Sequence, residues 1–228
     1  MRIRPAAVAG SWYPGSARGL ADEVDRHLAA VAPQPGGLAS LVALIAPHAG
    51  LMYSGPVAAH AYRQLRDHRA DLIVLVGPSH FVAFDGIAIY PAGRFDSPLG
   101  AAEIDDQCAA ALMASAPIVR ENVPAHAREH SLEMQLPFLR RLAPQAKILP
   151  LLMGVQSAEM ARTLGDSLGA VLQGRHALLV ASTDLSHYHD APTAARLDAV
   201  VIDTSELDLS EVFEQMVAAV REKKSAAA

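Results

Sequence analysis

Three short runs built almost wholly from Val, Leu, Ile and Ala constrain this chain more than any other feature: LVALIA at 41–46, LIVLV at 72–76 and ALLVAS at 177–182. They have strand length rather than helix length and are apolar at successive positions, so each reads as a strand covered on both faces. GIAIY at 86–90 and KILPLL at 147–152 extend the set. Between these runs, helical periodicity covers 17–31, 55–66, 103–114, 131–142, 157–172, 192–202 and 208–221. Pro137 inside the fourth helix either kinks it or marks its true start. Strands alternating with helices predict an α/β fold, a mixed and mostly parallel central sheet flanked by helices. The 228 residues suit one domain over 1–228, without repeats or a linker. APQPGG at 32–37 reads as a loop, and REKKSAAA at 221–228 as a frayed terminus.

Composition narrows the function classes. With 51% hydrophobic and 19% charged residues the chain is globular and not disordered. Its 19 basic residues are scattered and the net charge is −5, so no basic stripe exists to follow a phosphate backbone, and nucleic acid is not an expected partner. The single cysteine, Cys108, excludes an intramolecular disulfide and fits a reducing compartment. It sits in DDQCAAALMA, where it reads as a core helix position. The opening MRIRPAAVAG has no long apolar segment, and no run approaches the ~20 residues of a membrane span. A soluble cytoplasmic protein is the expectation.

Each of the three strong strands is followed by histidine. Pro47-His48 follows the first, Pro78-Ser79-His80 the second, and Thr183-Asp184 with His187 and His189 the third. If these strands are parallel neighbours, their C-terminal ends deliver imidazoles and a carboxylate to one crevice, where open α/β sheets bind ligands. Such an N/O set suits non-haem iron, zinc or copper. Asp184 and His187 are three apart and share a face if a helical turn begins there; otherwise Asp184 is a helix cap. A lone histidine past a strand is usually a loop residue, but three coincidences favour a shared site.

AREHSLEMQLPFL at 127–139 adds Glu129, His130 and Glu133. One reading is helix capping, with Ser131 as N-cap and acids at the positive helix end; the other sets His130 beside the crevice as an acid/base group. GSWYPG at 10–15 holds the only tryptophan, Trp12. Trp12, Ser79 and Glu133 are the candidate ligand-contacting residues. Serine hydrolysis finds little support: no G-x-S-x-G elbow exists, and adjacent Ser79 and His80 direct their side chains apart. Phosphate-cradling glycine motifs are also absent.

Together AGSWYP, APHAGLMYSGPVAAHAY, GPSH, SPLG with EID, EHSLEMQLPFL, LPLLMG and STDLSHY resemble the MEMO family, whose bacterial members are often labelled AmmeMemoRadiSam system protein B. The resemblance runs from residue 9 to about 203. It implies a fold like that of class III extradiol dioxygenases, with His48 and His80 as ligands of iron or copper. It also implies that Asp184 and His187 line the same pocket, with His130 and Glu133 nearby. Family members continue past the helix at 208–220 into a Cys-Gly segment that supplies a third ligand; here the chain ends in REKKSAAA. His187 or Asp184 is therefore expected to complete the coordination, with Fe(II), Zn(II) or Cu(II) favoured over Cu(I) once a soft thiolate is missing. Apolar surface left uncovered there would favour self-association into a homo-oligomer. The implied activity is metal-dependent redox chemistry on an aromatic or other small molecule, with His187 or His130 handling protons. The alternative is a non-catalytic module whose crevice captures a peptide or small anion.

Overall fold

A computed structural model describes residues 2–32 and 41–184. Along the chain run β1 (Ile3–Arg4), α1 (Ala17–Ala30), β2 (Ala43–Ala46), α2 (Leu51–Arg63), β3 (Leu72–Pro78), β4 (Ile87–Ile89), β5 (Arg94–Phe95), β6 (Ala102–Glu103) and α3 (Asp106–Ser115). Then come β7 (Val119–Glu121), α4 (Val123–His126), α5 (Leu136–Leu142), β8 (Lys147–Met153), α6 (Ala158–Val171) and β9 (Ala177–Ser182). Six strands form one sheet in the order β2-β9-β3-β8-β4-β7, parallel except where β4 meets β8. The expected α/β architecture with a mixed, mostly parallel sheet flanked by helices is what forms, and it fits a dioxygenase-like fold. Strands β1, β5 and β6 make a separate small sheet, which the apolar pattern did not reveal because two-residue strands carry no periodicity.

Both faces of the large sheet are covered. In β3, Ile73 and Leu75 belong to one apolar cluster and Leu72, Val74 and Val76 to the other. The first cluster includes Leu20 and Val24 of α1, Leu51 and Tyr62 of α2, and Phe138 of α5. The second takes Cys108 and Leu112 of α3 and Leu164 and Leu168 of α6. Full burial of each large aliphatic side chain contributes about 1.5–3 kcal/mol, which is why a strand apolar at every position belongs in the middle layer. Cys108 is a core position, as its surroundings suggested.

Helix boundaries follow local capping. Ser16, Asp105 and Ser157 cap α1, α3 and α6, each accepting a backbone N–H three residues on. The region expected as one helix over 131–142 splits: a 3-10 turn spans Glu133–Gln135 and α5 begins at Leu136, with Pro137 in its first turn, where a missing N–H costs least. Helix α2 starts at Leu51 rather than 55, leaving Pro56 inside it. Residues 103–105 precede α3 as the end of β6 and its cap. The helices expected over 192–202 and 208–221 lie outside the described residues. Among the described residues no helix is long and apolar enough to cross a membrane.

The buried His126 is a titratable group in the interior. His126 ends α4, is 1% exposed, and contacts Tyr90 and Phe95 edge-on, with Nε2 3.2 Å from the Ala88 carbonyl. Burial drives its pKa down to about 3, against the opposing effect of the Ala88 bond. An unfolded histidine titrates near 6.5, so from pH 6.5 to about 3 the unfolded chain holds a proton that the fold refuses. Its contribution to stability is complete above about pH 6.5 and is lost as pH falls. At about 1.4 kcal/mol per pH unit, the parent should lose roughly 2–3 kcal/mol more than His126→Gln between pH 7 and 4.5. Denaturant titrations at the two pH values check this; equal losses would remove His126 as the acid-sensitive group.

Candidate metal centre

Strands β2, β9 and β3 are parallel neighbours, so their C-terminal ends open on one edge of the sheet. His48 follows β2, Ser79 and His80 follow β3, and Thr183 and Asp184 follow β9; all five line a cavity of about 420 Å³ together with Trp12 and His130. The first two runs thus deliver His48 and His80 to one cavity and the third delivers Asp184, as expected; the histidines that follow the third run are not among the described residues. Ligand atoms of His48, His80 and His130 lie within 4.8 Å of one another, and this cluster could hold a metal ion. His187 lies outside the described residues.

Glu129 organises the cluster. It is 2% exposed, and its carboxylate accepts the amides of His80 (2.6 Å), His130 (2.9 Å) and Ser131 (2.9 Å). Its Oε1 also stands 2.9 Å from Nδ1 of His80 and 3.5 Å from Nδ1 of His130. Burial would raise its pKa, but the bonds from His80 and Ser131 outweigh burial and hold it below the usual range. An ionised Glu129 makes Nδ1 of His80 the protonated nitrogen and leaves Nε2 with its lone pair. This carboxylate–histidine arrangement is the one that orients metal-binding imidazoles. A backbone constraint helps: a Cβ on Gly77 would come within 2.9 Å of Leu132 and 3.0 Å of the Ser131 hydroxyl, so glycine lets the 129–132 segment lie against the end of β3.

His48 is 3% exposed, with Nδ1 3.0 Å from the Ser182 hydroxyl and Nε2 3.8 Å from Asp184. Burial lowers its pKa to about 4, with the neighbouring His80 and His130 adding to the depression against Asp184. Burial likewise lowers that of His130. Both rings are neutral near pH 7, the form that binds metals. An imidazole lone pair lies in the ring plane. The rings of His48 and His80 cross at 72°, so they can aim at one point, whereas His130 lies nearly parallel to His80 at 17° with centroids 4.6 Å apart.

The other candidates divide. Trp12 packs on His130 at 4.3 Å and also lines a second cavity of about 450 Å³ with Gly50, Met52, Tyr53 and Asp184. Ser79 lines the first cavity, but its hydroxyl donates to the Val82 carbonyl at 2.7 Å rather than to a base. Asp184 Oδ1 accepts the amides of His48 (2.6 Å) and Ala49 (3.2 Å), pinning the turn between β2 and α2. Two expectations are corrected. Ser131 is not a helix cap: its hydroxyl donates to the Pro78 carbonyl at 2.9 Å, two residues before His80. Glu133 does not line the cavity. It is fully buried, paired with Arg4, and accepts Ala7 N–H, Val8 N–H and the Tyr13 hydroxyl (2.6 Å). Its position near a helix start looks the same in sequence whether the acid faces a ligand or an arginine 129 residues away.

Arg4, Gln135 and Ser182 were not singled out by the sequence reading. Arg4 is 2% exposed; besides Glu133 it donates to the carbonyls of His126 (2.9 Å), Pro5 (3.2 Å) and Glu129. Gln135 stood out only as a polar residue within EMQLPFL, and Ser182 as the hydroxyl ending ALLVAS.

A family model described as Memo-like protein matches residues 4–223. A MEMO1 family protein of Pyrobaculum aerophilum is 35% identical over 225 residues, covering 94% of this chain and 79% of that protein. One from Caldivirga maquilingensis is 34% identical over 212 residues (89% and 75%), and one from Nitrosopumilus maritimus 30% identical over 216 residues (92% and 78%).

The placement of Glu133 has a measurable consequence. Removing one partner of a buried ion pair costs about 3–5 kcal/mol, because the remaining charge is uncompensated. Arg4→Met should lower the unfolding free energy by about that amount in chemical denaturation. A loss below ~1 kcal/mol would mean that the pair does not anchor the 126–133 segment.

Proposed function

This chain belongs to the Memo-like protein family, and from that premise we propose that its strand-end cleft is a transition-metal site held by His48 and His80. The observation that carries the proposal is the pair of crossing imidazoles at the ends of β2 and β3, with His80 oriented by the buried carboxylate of Glu129. The donor set is nitrogen with nearby carboxylate, which suits a divalent ion, iron or copper first and zinc by the same chemistry. When bound, iron or copper would supply Lewis-acid and redox chemistry to a small molecule, as in an oxidoreductase of dioxygenase type, and zinc would supply Lewis acidity alone. Asp184, 3.8 Å from Nε2 of His48, is the described carboxylate nearest to that nitrogen and the proposed third donor, with His187 as the other candidate.

The remaining residues serve the ligand. His130 stays neutral and stacks beside His80, which supports a role in accepting a proton from a bound substrate at a ring nitrogen. Trp12 lends an apolar wall to the cleft and, with Met52 and Tyr53, to the adjoining cavity, which suits an aromatic or otherwise apolar small molecule. A soluble, cytoplasmic setting is part of the same proposal.

His48→Ala and His80→Ala should each abolish tight metal binding and leave the fold intact, because both side chains lie past the strand ends. Loss of a direct ligand should exceed the 10–100-fold typical of residues behind the ligands. Calorimetric metal titration with circular dichroism checks this, and affinity within about tenfold of the parent would sink the assignment. Elemental analysis of protein purified without chelator or histidine tag should find iron or copper. Oxygen uptake on a panel of catechols then tests turnover; tight ligand binding with no turnover would favour a binding module.

A further inference from the structure

Behind His48 lies a closed set of buried polar groups whose hydrogen bonds admit only one arrangement of protons. Ser182 is 2% exposed and its hydroxyl touches three partners: the Ser131 carbonyl at 2.6 Å, Gln135 Nε2 at 2.7 Å and His48 Nδ1 at 3.0 Å. A carbonyl can only accept, so the single hydroxyl proton points at Ser131. The alternative would leave two oxygens 2.6 Å apart with no hydrogen between them. Ser182 must then accept from both other partners.

The orientation of Gln135 is equally determined. Its Nε2 is 3.1 Å from the Pro47 carbonyl, which also can only accept, while its Oε1 takes the Tyr62 hydroxyl at 2.8 Å. A flipped amide would set oxygen against the Pro47 carbonyl and leave the Tyr62 proton facing an N–H. Gln135 and Tyr62 are both fully buried, so water does not offer them substitute partners.

We infer that Ser182 and Gln135 are positioning residues that hold His48 in its Nδ1–H tautomer and thereby present the Nε2 lone pair to the cleft. The relay Tyr62 to Gln135 to Ser182 to the Ser131 carbonyl leaves His48 Nδ1 no role but donor. It also joins the segments that carry the candidate ligands. Gln135 bonds the carbonyl of Pro47, which precedes His48, and Ser131 bonds the carbonyl of Pro78, two before His80. His80 reaches the same tautomer through a charged acceptor, Glu129, whereas His48 depends on a neutral hydroxyl. The consequence for metal affinity rests on the proposed role of His48 as a ligand; the tautomer itself does not.

Long-range ¹H–¹⁵N correlation spectra of the metal-free, ¹⁵N-labelled full chain at pH 7.5 read the tautomer directly. The parent should show His48 as a single Nδ1–H form. Ser182→Ala should move it toward the Nε2–H form and leave the His80 signals unchanged, an internal control for an intact fold. Zinc binding by Ser182→Ala should weaken about 10–100-fold, the range for residues that orient a ligand, and Ser182→Thr should restore both readouts. Gln135→Leu should weaken zinc binding in the same direction. A parent spectrum with His48 as the Nε2–H tautomer would overturn the inference whether or not any variant folds. So would an unchanged His48 tautomer in Ser182→Ala. A tautomer change with unaltered zinc affinity would uphold the relay and count against His48 as a metal ligand.

Discussion

A buried carboxylate that must collect hydrogen-bond donors is the constraint on which the functional end of this protein depends. Glu129 is withdrawn from water, and an uncompensated charge there would be costly. The fold answers with three backbone N–H groups, from His80, His130 and Ser131, and the His80 ring. Those donors come from two loops remote in sequence, so satisfying the charge also fixes the distance between them. Positioning of His80 is thus a by-product of the electrostatics of Glu129.

Behind Glu129 stands Arg4. Its guanidinium pairs with Glu133 and donates to the carbonyls of Glu129 and His126, while its face lies 4.9 Å from the Phe95 ring. The small sheet of β1, β5 and β6 gains a purpose from this arrangement. It carries Arg4 beneath the 126–133 segment and supplies Phe95 as the ring against it. Arg4 and Glu133 neutralise one another, and Ala7, Val8 and Tyr13 satisfy the remaining acceptor capacity of Glu133. A pair this fully bonded serves to set geometry more than to add stability, since buried ion pairs seldom outperform apolar packing energetically.

Two kinds of restraint therefore meet at the cleft. Polar groups hold His80 through Glu129 and His48 through Ser182, while His130 is held largely by ring contacts with Trp12 and His80. Rings held by directional bonds keep a defined lone-pair direction, as a metal ligand requires.

Much of the architecture was legible from residue order alone. LVALIA, LIVLV and ALLVAS are short and apolar at almost every position, which suits strands in a covered sheet, so β2, β3 and β9 followed from composition and period; the convergence of His48, His80 and Asp184 also required the three strands to be parallel neighbours, which the tertiary structure supplied. The two-residue strands were not legible, because a strand that short has no pattern to read. The roles of Glu133, Arg4, Gln135 and Ser182 were also closed to sequence reasoning. The partner of Glu133 lies 129 residues away and that of Gln135 lies 47 away, and nothing local to EMQLPFL distinguishes a ligand-facing acid from a buried one. Periodicity is a local property and therefore determined the layers and the strand ends. Satisfying a buried charge or hydroxyl depends on which distant donors arrive beside it, and only the tertiary structure decided that.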